Sequence, residues 1–287
     1  MIGSLAKRIR KLSQAEIPAL SQDGLPARTT GPWVHDKKYY FERYLDIFTH
    51  GVGKKWNGHL AYTDLFSGPG KSLIRESCEE VEGSPLIALR YDFARYVFVD
   101  IPDVIATLEK RLKKHPKYNS ITLIEGDCNV AVDDIRAALP ANHLTLAFID
   151  PTGLQIQFQT IEKLVKDRKV DLLMTIQFGM GIRMNLRQYT GAEIAALSGF
   201  LGNDSWREDV AAGGTISDVS RRILARYLGE LRKLGFGTVR DREIPIRSDQ
   251  NNLLLYFMAL ASRHPRGEEF WRKITDIQSN GQRLLNL

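Results

Sequence analysis

Residues 60–70 read Leu60-Ala61-Tyr62-Thr63-Asp64-Leu65-Phe66-Ser67-Gly68-Pro69-Gly70. An apolar, β-rich run over 60–66 carries an aspartate near its end and leads into two glycines, which permit positive φ and a close approach of backbone to a ligand. Four similar runs follow at 96–100 (YVFVD), 121–127 (ITLIEGD), 143–150 (HLTLAFID) and 170–178 (VDLLMTIQF). Helix-like segments separate them: PLIALRYDFA, PDVIATLEKRLKKH, NVAVDDIRAAL and FQTIEKLVKD. Short strands alternating with helices predict an α/β fold with a mainly parallel sheet covered on both faces.

Upstream, DKKYYFERYLDIFTH (36–50) places Tyr40, Tyr44 and Ile47 on one helical stripe. Its aromatic residues Tyr39, Tyr40, Phe41 and Tyr44 read as core packing ahead of a base-stacking platform. Residues 1–31 contain SQDGLPARTTGP, a turn-rich stretch that reads as a mobile lead-in. The division expected is therefore a lead-in and packing helix over 1–58 and a main domain over 59–287. Downstream, 179–217 is glycine-rich without a clear strand and reads as a helical or loop insertion after the fifth strand. A helix near 218–234 precedes FGTVRDREIPIR and NNLLLYFMALASR, a C-terminal antiparallel hairpin with Ser248–Asn251 between its strands. EEFWRKITDIQ then adds a final helix.

With 43% hydrophobic and 26% charged residues among 287, the composition is that of a globular protein. No apolar run approaches the roughly 20 residues of a membrane span, and MIGSLAKRIRKLSQAEIPAL lacks a secretory apolar stretch, so a cytoplasmic setting is expected. Cys78 and Cys128 alone make neither a disulfide framework nor a four-ligand zinc site, and the six histidines (His35, His50, His59, His115, His143, His264) show no metal-ligand spacing. The net charge of +6 divides into +5 over 1–60, −3 over 61–179 and +4 over 180–287. Basic flanks around an acidic middle suit a polyanionic partner such as nucleic acid.

In an open parallel sheet, ligands bind beyond the carboxyl ends of the strands. Those ends hold Asp64–Gly70, Asp100, Asp127–Cys128 and Asp150–Gly153. A buried carboxylate is costly unless it is paired or binds something, and helix capping is the alternative for each aspartate singly. Two glycines fall short of the three in a dinucleotide fingerprint. Asp64, Phe66, Gly68 and Gly70 would hold a zwitterionic tail and Asp100 a ribose diol. Asp127 with Cys128 would meet an adenine amino group, unless Asp127 binds its own backbone. Together these describe S-adenosylmethionine better than NAD.

Gly70-Lys71-Ser72 is similar to the end of a phosphate-binding P-loop, but Leu65 stands where that loop needs its first glycine. DLFSGPG resembles the first motif of cytosine-C5 DNA methyltransferases, yet the fourth strand ends Asp150-Pro151-Thr152-Gly153 and lacks the cysteine nucleophile those enzymes need. Asp150-Pro151 stands where amino-directed methyltransferases carry Asp/Asn-Pro-Pro-aromatic, the acid and a nearby carbonyl orienting the target amine. Thr152-Gly153 replaces the aromatic that would hold a flipped base, leaving Phe158 or Phe178 as substitutes. Lys37, beside Lys38, and Gly153 are candidates to meet the acceptor. Ser84, with Pro85, opens a helix that either closes the pocket or is simply capped by the serine.

Trp33…Asp36-Lys37…Tyr44-Leu45, Tyr62–Gly70, Gly83–Leu89, Phe148–Gly153 and His264-Pro265…Phe270-Trp271 together resemble the three-Cys-motif partner protein family. The resemblance implies a Rossmann-like class I methyltransferase fold and a protein partner of the phage Gp37/Gp68 type. The expected activity is S-adenosylmethionine-dependent methyl transfer to nucleic acid, with Asp150 and Pro151 positioning the acceptor. The alternatives are a non-catalytic binding module, favoured by Thr152-Gly153, and a small-molecule methyltransferase with 179–217 as its lid.

Overall fold

The computed structural model describes residues 19–177, 191–237, 243–248 and 252–277. Two short strands, β1 (Ala19–Leu20) and β2 (Pro26–Thr30), precede helix α1 (Val34–Ile47), which runs into a π turn over Phe48–Val52. Strand β3 (Leu60–Asp64) is followed by β4 (Lys71–Ile74) and β5 (Glu80–Glu82), then α2 (Ser84–Ala88). Next come β6 (Arg95–Asp100), α3 (Pro102–Leu112), β7 (Ile121–Glu125), α4 (Val132–Ala138), β8 (Leu144–Ile149), α5 (Phe158–Val165) and β9 (Val170–Ile176). Helices α6 (Gly191–Leu201), α7 (Trp206–Ala211) and α8 (Ile216–Lys233) lead to β10 (Ile244–Arg247), β11 (Leu254–Ala261) and α9 (Pro265–Thr275).

The large sheet has the order β10-β11-β9-β8-β3-β6-β7. Its five central and outer strands from β9 to β7 are parallel, while β11 runs antiparallel to β9 and β10 antiparallel to β11. This is the Rossmann-like, mainly parallel sheet with a C-terminal hairpin that the sequence predicts. Every residue of β3 and β9 is buried because helices cover both faces, which explains their unbroken apolar runs. One face packs Val132, Phe158, Leu197 and Tyr227 from α4, α5, α6 and α8. The other packs Phe41, Ile87, Leu108 and Trp271 from α1, α2, α3 and α9. The strand order reverses between β3 and β8, so the switch-point crevice opens at the ends of Asp64 and Asp150.

Sequence punctuation fixes several helix starts. Proline stands in the first turn of α2, α3 and α9, where a missing N–H costs nothing. At α8, Thr215 and Asp218 form a reciprocal capping box. The described part of the 179–217 insertion is helical, and it thickens one face of the sheet. No described helix is long and apolar enough to cross a membrane.

Residues 19–30 are not the mobile lead-in that their turn-rich composition suggests. They join residues 71–82 in a second sheet of order β1-β2-β4-β5, with Arg28 opposite Ser72 and Thr30 opposite Ile74 in parallel register. These strands have two to five residues and little apolar alternation, so periodicity misses them.

What fixes this sheet is Arg111 on α3, whose side chain is only 3% exposed. Its guanidinium donates to both carboxylate oxygens of Asp23 at 2.9 and 3.0 Å, and to the carbonyls of Leu25, Pro26 and Pro69. Arg111→Ala would orphan all of these acceptors together, and is expected to lower unfolding free energy by about 3 kcal/mol, read as a lower urea midpoint. Arg111→Lys should recover only part of the loss, because an ammonium cannot reproduce the planar fork.

Candidate functional site

The chain leaves the sheet after Asp64 and turns through Gly68 and Gly70, at φ 67° and 93°. Glycine is required at position 70 on two counts: the left-handed φ, and a Cβ that would sit 3.0 Å from Leu108. Residues 71–82 then depart as β4 and β5 and return, so that the Gly83 N–H donates to the Gly70 carbonyl at 2.8 Å. Helix α2 thus begins beside the glycine loop although a hairpin separates them in sequence. Its N-cap is Gly83, and Ser84 is its first residue; the Ser84 side chain instead hydrogen-bonds Asp64.

Asp64 is wholly buried and also accepts from Tyr62 Oη at 3.3 Å and the Phe66 N–H at 3.2 Å. Burial pushes its carboxyl up to about 7, against the opposing effect of these hydrogen bonds. Beside it the buried Thr63 Oγ1 has no hydrogen-bond partner among the described residues. Asp100 accepts through Oδ2 from the Gly68 N–H (2.8 Å) and Arg28 Nη2 (3.1 Å), and through Oδ1 from the Ile101 N–H (2.8 Å). Three of roughly four lone-pair sites are filled, leaving one for a ligand hydroxyl.

Asp127 is exposed, and its Oδ1 accepts from the backbone and side-chain amides of Asn129, both at 2.8 Å. It therefore binds its own turn through one oxygen. Cys128 is buried and its thiol is pushed up to about 12, chiefly by burial, which makes it a packing residue with no nucleophilic role. Sequence reasoning passed over two neighbours. Ile101 is 56% exposed and Val130 82% exposed, each following one of the acidic strand ends and each offering an apolar face to solvent.

At the fourth strand, Asp150 Oδ2 accepts from Lys37 Nζ at 2.6 Å and Oδ1 from Thr175 Oγ1 at 2.7 Å. The Pro151 carbonyl accepts from Gln177 Nε2 at 2.7 Å. Above them lies a cavity of about 330 Å³. Of the residues singled out in the sequence as site candidates, Lys37, Lys38, Phe66, Gly68, Gly70, Ser84, Asp150 and Pro151 line it. Asp64 lies behind Phe66 and Ser84, and Asp100 reaches the lining only through Arg28 and Gly68. Asp127, Cys128 and Gly153 do not line the cavity; Thr152 does, while the Gly153 N–H donates to Gln155 Oε1 at 2.8 Å.

Trp33, one of the residues that carry the family resemblance, also lines the cavity; so do Gln177 and Tyr256, which carry no sequence signal and are brought there by tertiary packing alone. Phe158 is buried in the core against Tyr227 and supplies no stacking ring to the cavity; Phe178 lies outside the described residues. Tyr40, Phe41 and Tyr44 are buried in the core, and Phe41 also borders the cavity. Among the described residues, none of 191–217 borders the cavity, whereas residues of β2 and the start of α1 do.

No family model matches the chain, and no curated protein does. Solved structures do. The cofactor-bound protein Rv0187 from MTB is 13% identical, with 91% of this chain and 90% of that one covered at a TM-score of 0.46. Protein LPL1258 from Legionella pneumophila is 13% identical over 88% and 95%, with a TM-score of 0.49. The O-methyltransferase TomG from Streptomyces achromogenes, in complex with SAM, is 9% identical over 90% and 96%, with a TM-score of 0.44. The likeness is one of fold.

The raised carboxyl of Asp64 has a consequence for stability. In the unfolded chain this group sheds its proton near pH 4, but in the folded chain near 7, so the folded state holds more protons across that window. Its contribution to stability is therefore present below pH 4, declines as pH rises to about 7 and is flat above. Asp64→Asn removes the titration. The urea midpoint of the wild type should fall relative to that of the variant between pH 5 and pH 8; an unchanging difference would contradict the assignment.

Proposed function

We propose that the chain is an S-adenosylmethionine-dependent methyltransferase acting on nucleic acid. The observation that carries this reading is the succession of Asp64, Asp100 and Asp127 along one carboxyl edge, with a glycine loop at the first and the Asp150-Pro151 cavity beside it. The residues present fit the cofactor. Gly68 and Gly70 leave backbone bare for its methionine end, and Asp64 holds the loop from behind through the Phe66 N–H. Asp100 has a lone pair left for a ribose hydroxyl, and the second carboxylate oxygen of Asp127, which has no hydrogen-bond partner among the described residues, is left for the adenine amino group. Ile101 and Val130 offer apolar faces for the ring.

Bound there, the cofactor supplies an electrophilic methyl group on a sulfonium. The protein's task is then to position a nucleophile in line with it. Thr175 and Lys37 hold the two oxygens of Asp150, and Gln177 holds the Pro151 carbonyl, so both acceptor-facing groups have fixed orientations. Asp150, 16% exposed beside Lys37, is placed to take the proton that the acceptor sheds. The basic flanks favour a nucleic-acid acceptor, and the resemblance to three-Cys-motif partner proteins adds a Gp37/Gp68-type protein partner; a cytoplasmic setting is part of the proposal.

A second reading, a binding module without activity, draws support from the same contacts. Asp150 and Pro151 are already engaged by protein donors, and Thr152-Gly153 offers no ring. Calorimetry with S-adenosylhomocysteine separates the cofactor claim from both. Wild type should bind and Asp100→Ala should bind at least about tenfold more weakly, one lost charged hydrogen bond; no binding to wild type would sink the proposal. Labelled-methyl transfer to pooled DNA, RNA, protein and small molecules then distinguishes the enzyme from the module. Nucleic-acid affinity that does not fall with added salt would favour a small-molecule acceptor.

A further inference from the structure

We infer that the cavity at Asp150 is a seat for one unstacked nucleobase, whose edge is read by the hydroxyl of Tyr256. The inference deepens the methyl-transfer reading and rests on it for the role of the seat.

Tyr256 is 6% exposed, lines the cavity, and its Oη has no hydrogen-bond partner among the described residues. A buried hydroxyl left unpaired costs about 1–3 kcal/mol, so its place in the wall of a cavity points to a ligand that completes it. Burial, with the charges of Asp150 and Asp36 nearby, holds its pKa well above the usual value. Tyr256 is thus a neutral phenol and offers a proton, and the matching ligand group is an acceptor such as a ring nitrogen or carbonyl oxygen. Amide and imine acceptors of that kind, on a flat ring, are what every nucleobase presents at its edge.

The cavity's shape agrees. Trp33 borders it with its ring laid against Gly31, so closely that a Cβ at Gly31 would fall 2.1 Å from the ring. The indole therefore keeps a fixed flat face, and Phe66 and Phe148 add further aromatic surface. At about 330 Å³ the space is at the small end of ligand pockets, which run from about 300 to 1,000 Å³. That is room for a single ring beside a methionine tail, as a single strand, a flipped position or a free nucleotide would supply.

The charges around the mouth identify where a phosphate would lie. Arg28 is tied to Asp100, Lys37 to Asp150, Lys38 to Glu42 and Lys71 to Glu80. Arg75 also borders the cavity, is exposed, and makes no ion pair among the described residues. It is the cation left to meet a phosphate attached to the seated base.

The test uses the protein with S-adenosylhomocysteine added, and measures equilibrium binding of nucleoside monophosphates, a single-stranded oligonucleotide, its abasic counterpart and the corresponding duplex. Wild type should bind the monophosphates or the single strand more tightly than the abasic strand and the duplex. Binding of the monophosphate alone would assign free nucleotide as the source; binding of the strand would assign nucleic acid. Tyr256→Phe should weaken base binding about tenfold, leave S-adenosylhomocysteine affinity unchanged, and keep or raise Tm, since it deletes only an unpaired hydroxyl. Arg75→Gln should weaken the monophosphate and not the nucleoside. Equal affinity of Tyr256→Phe for the base, equal binding of the abasic strand, or no base binding by wild type would overturn the inference. With S-adenosylhomocysteine still bound, those results leave the methyltransferase reading standing, whereas base binding without cofactor binding would remove that reading and keep the seat.

Discussion

Arg111 lies almost wholly out of water and directs its donors to Asp23, Leu25, Pro26 and Pro69. Removing a guanidinium from water is tolerable only where its N–H groups find acceptors, and here the acceptors belong to two separate segments. One is the β1–β2 turn and the other the glycine loop after β3. That shared cation ties the second sheet, whose β2 roofs the cavity, to the path of the glycine loop. Arg28, carried on β2, is consequently within 3.1 Å of Asp100, and Lys37, at the start of α1, within 2.6 Å of Asp150. The N-terminal segment is thereby part of the site, its cations neutralising carboxylates that the sheet would otherwise leave exposed at its edge.

The acidic strand ends differ in their surroundings. Asp64 is enclosed, held by hydroxyl and backbone donors without a cation, and its carboxyl is driven upward by burial. Asp100 and Asp150 have cations and stay at the edge of solvent. Asp127 is in water and organises its own turn. Four aspartates that look alike in sequence thus comprise a buried neutralisable group behind the glycine loop, two paired anions and a solvated one.

The five-strand parallel core was legible in the sequence because two-sided burial imposes long apolar runs, and the hairpin because turn residues separate its strands. The carboxyl-edge aspartates were legible for the same reason: strand ends are where the runs stop. The second sheet was not, since β1, β2, β4 and β5 are short and partly polar and are held by Arg111 and by each other. Ser84 was ambiguous between cap and ligand until Gly83 took the cap and freed its hydroxyl for Asp64. The Lys37–Asp150 pair joins residues 113 apart, and Tyr256 arrives on β11 of the C-terminal hairpin, so no local spacing announces either.

The most direct test of the account is amide hydrogen exchange with and without S-adenosylhomocysteine. The account predicts slower exchange in three separated segments together: 66–70, 100–101 and 127–130. Slowing elsewhere with those three unchanged, in protein shown to bind the compound, would contradict the placement of the cofactor along this carboxyl edge.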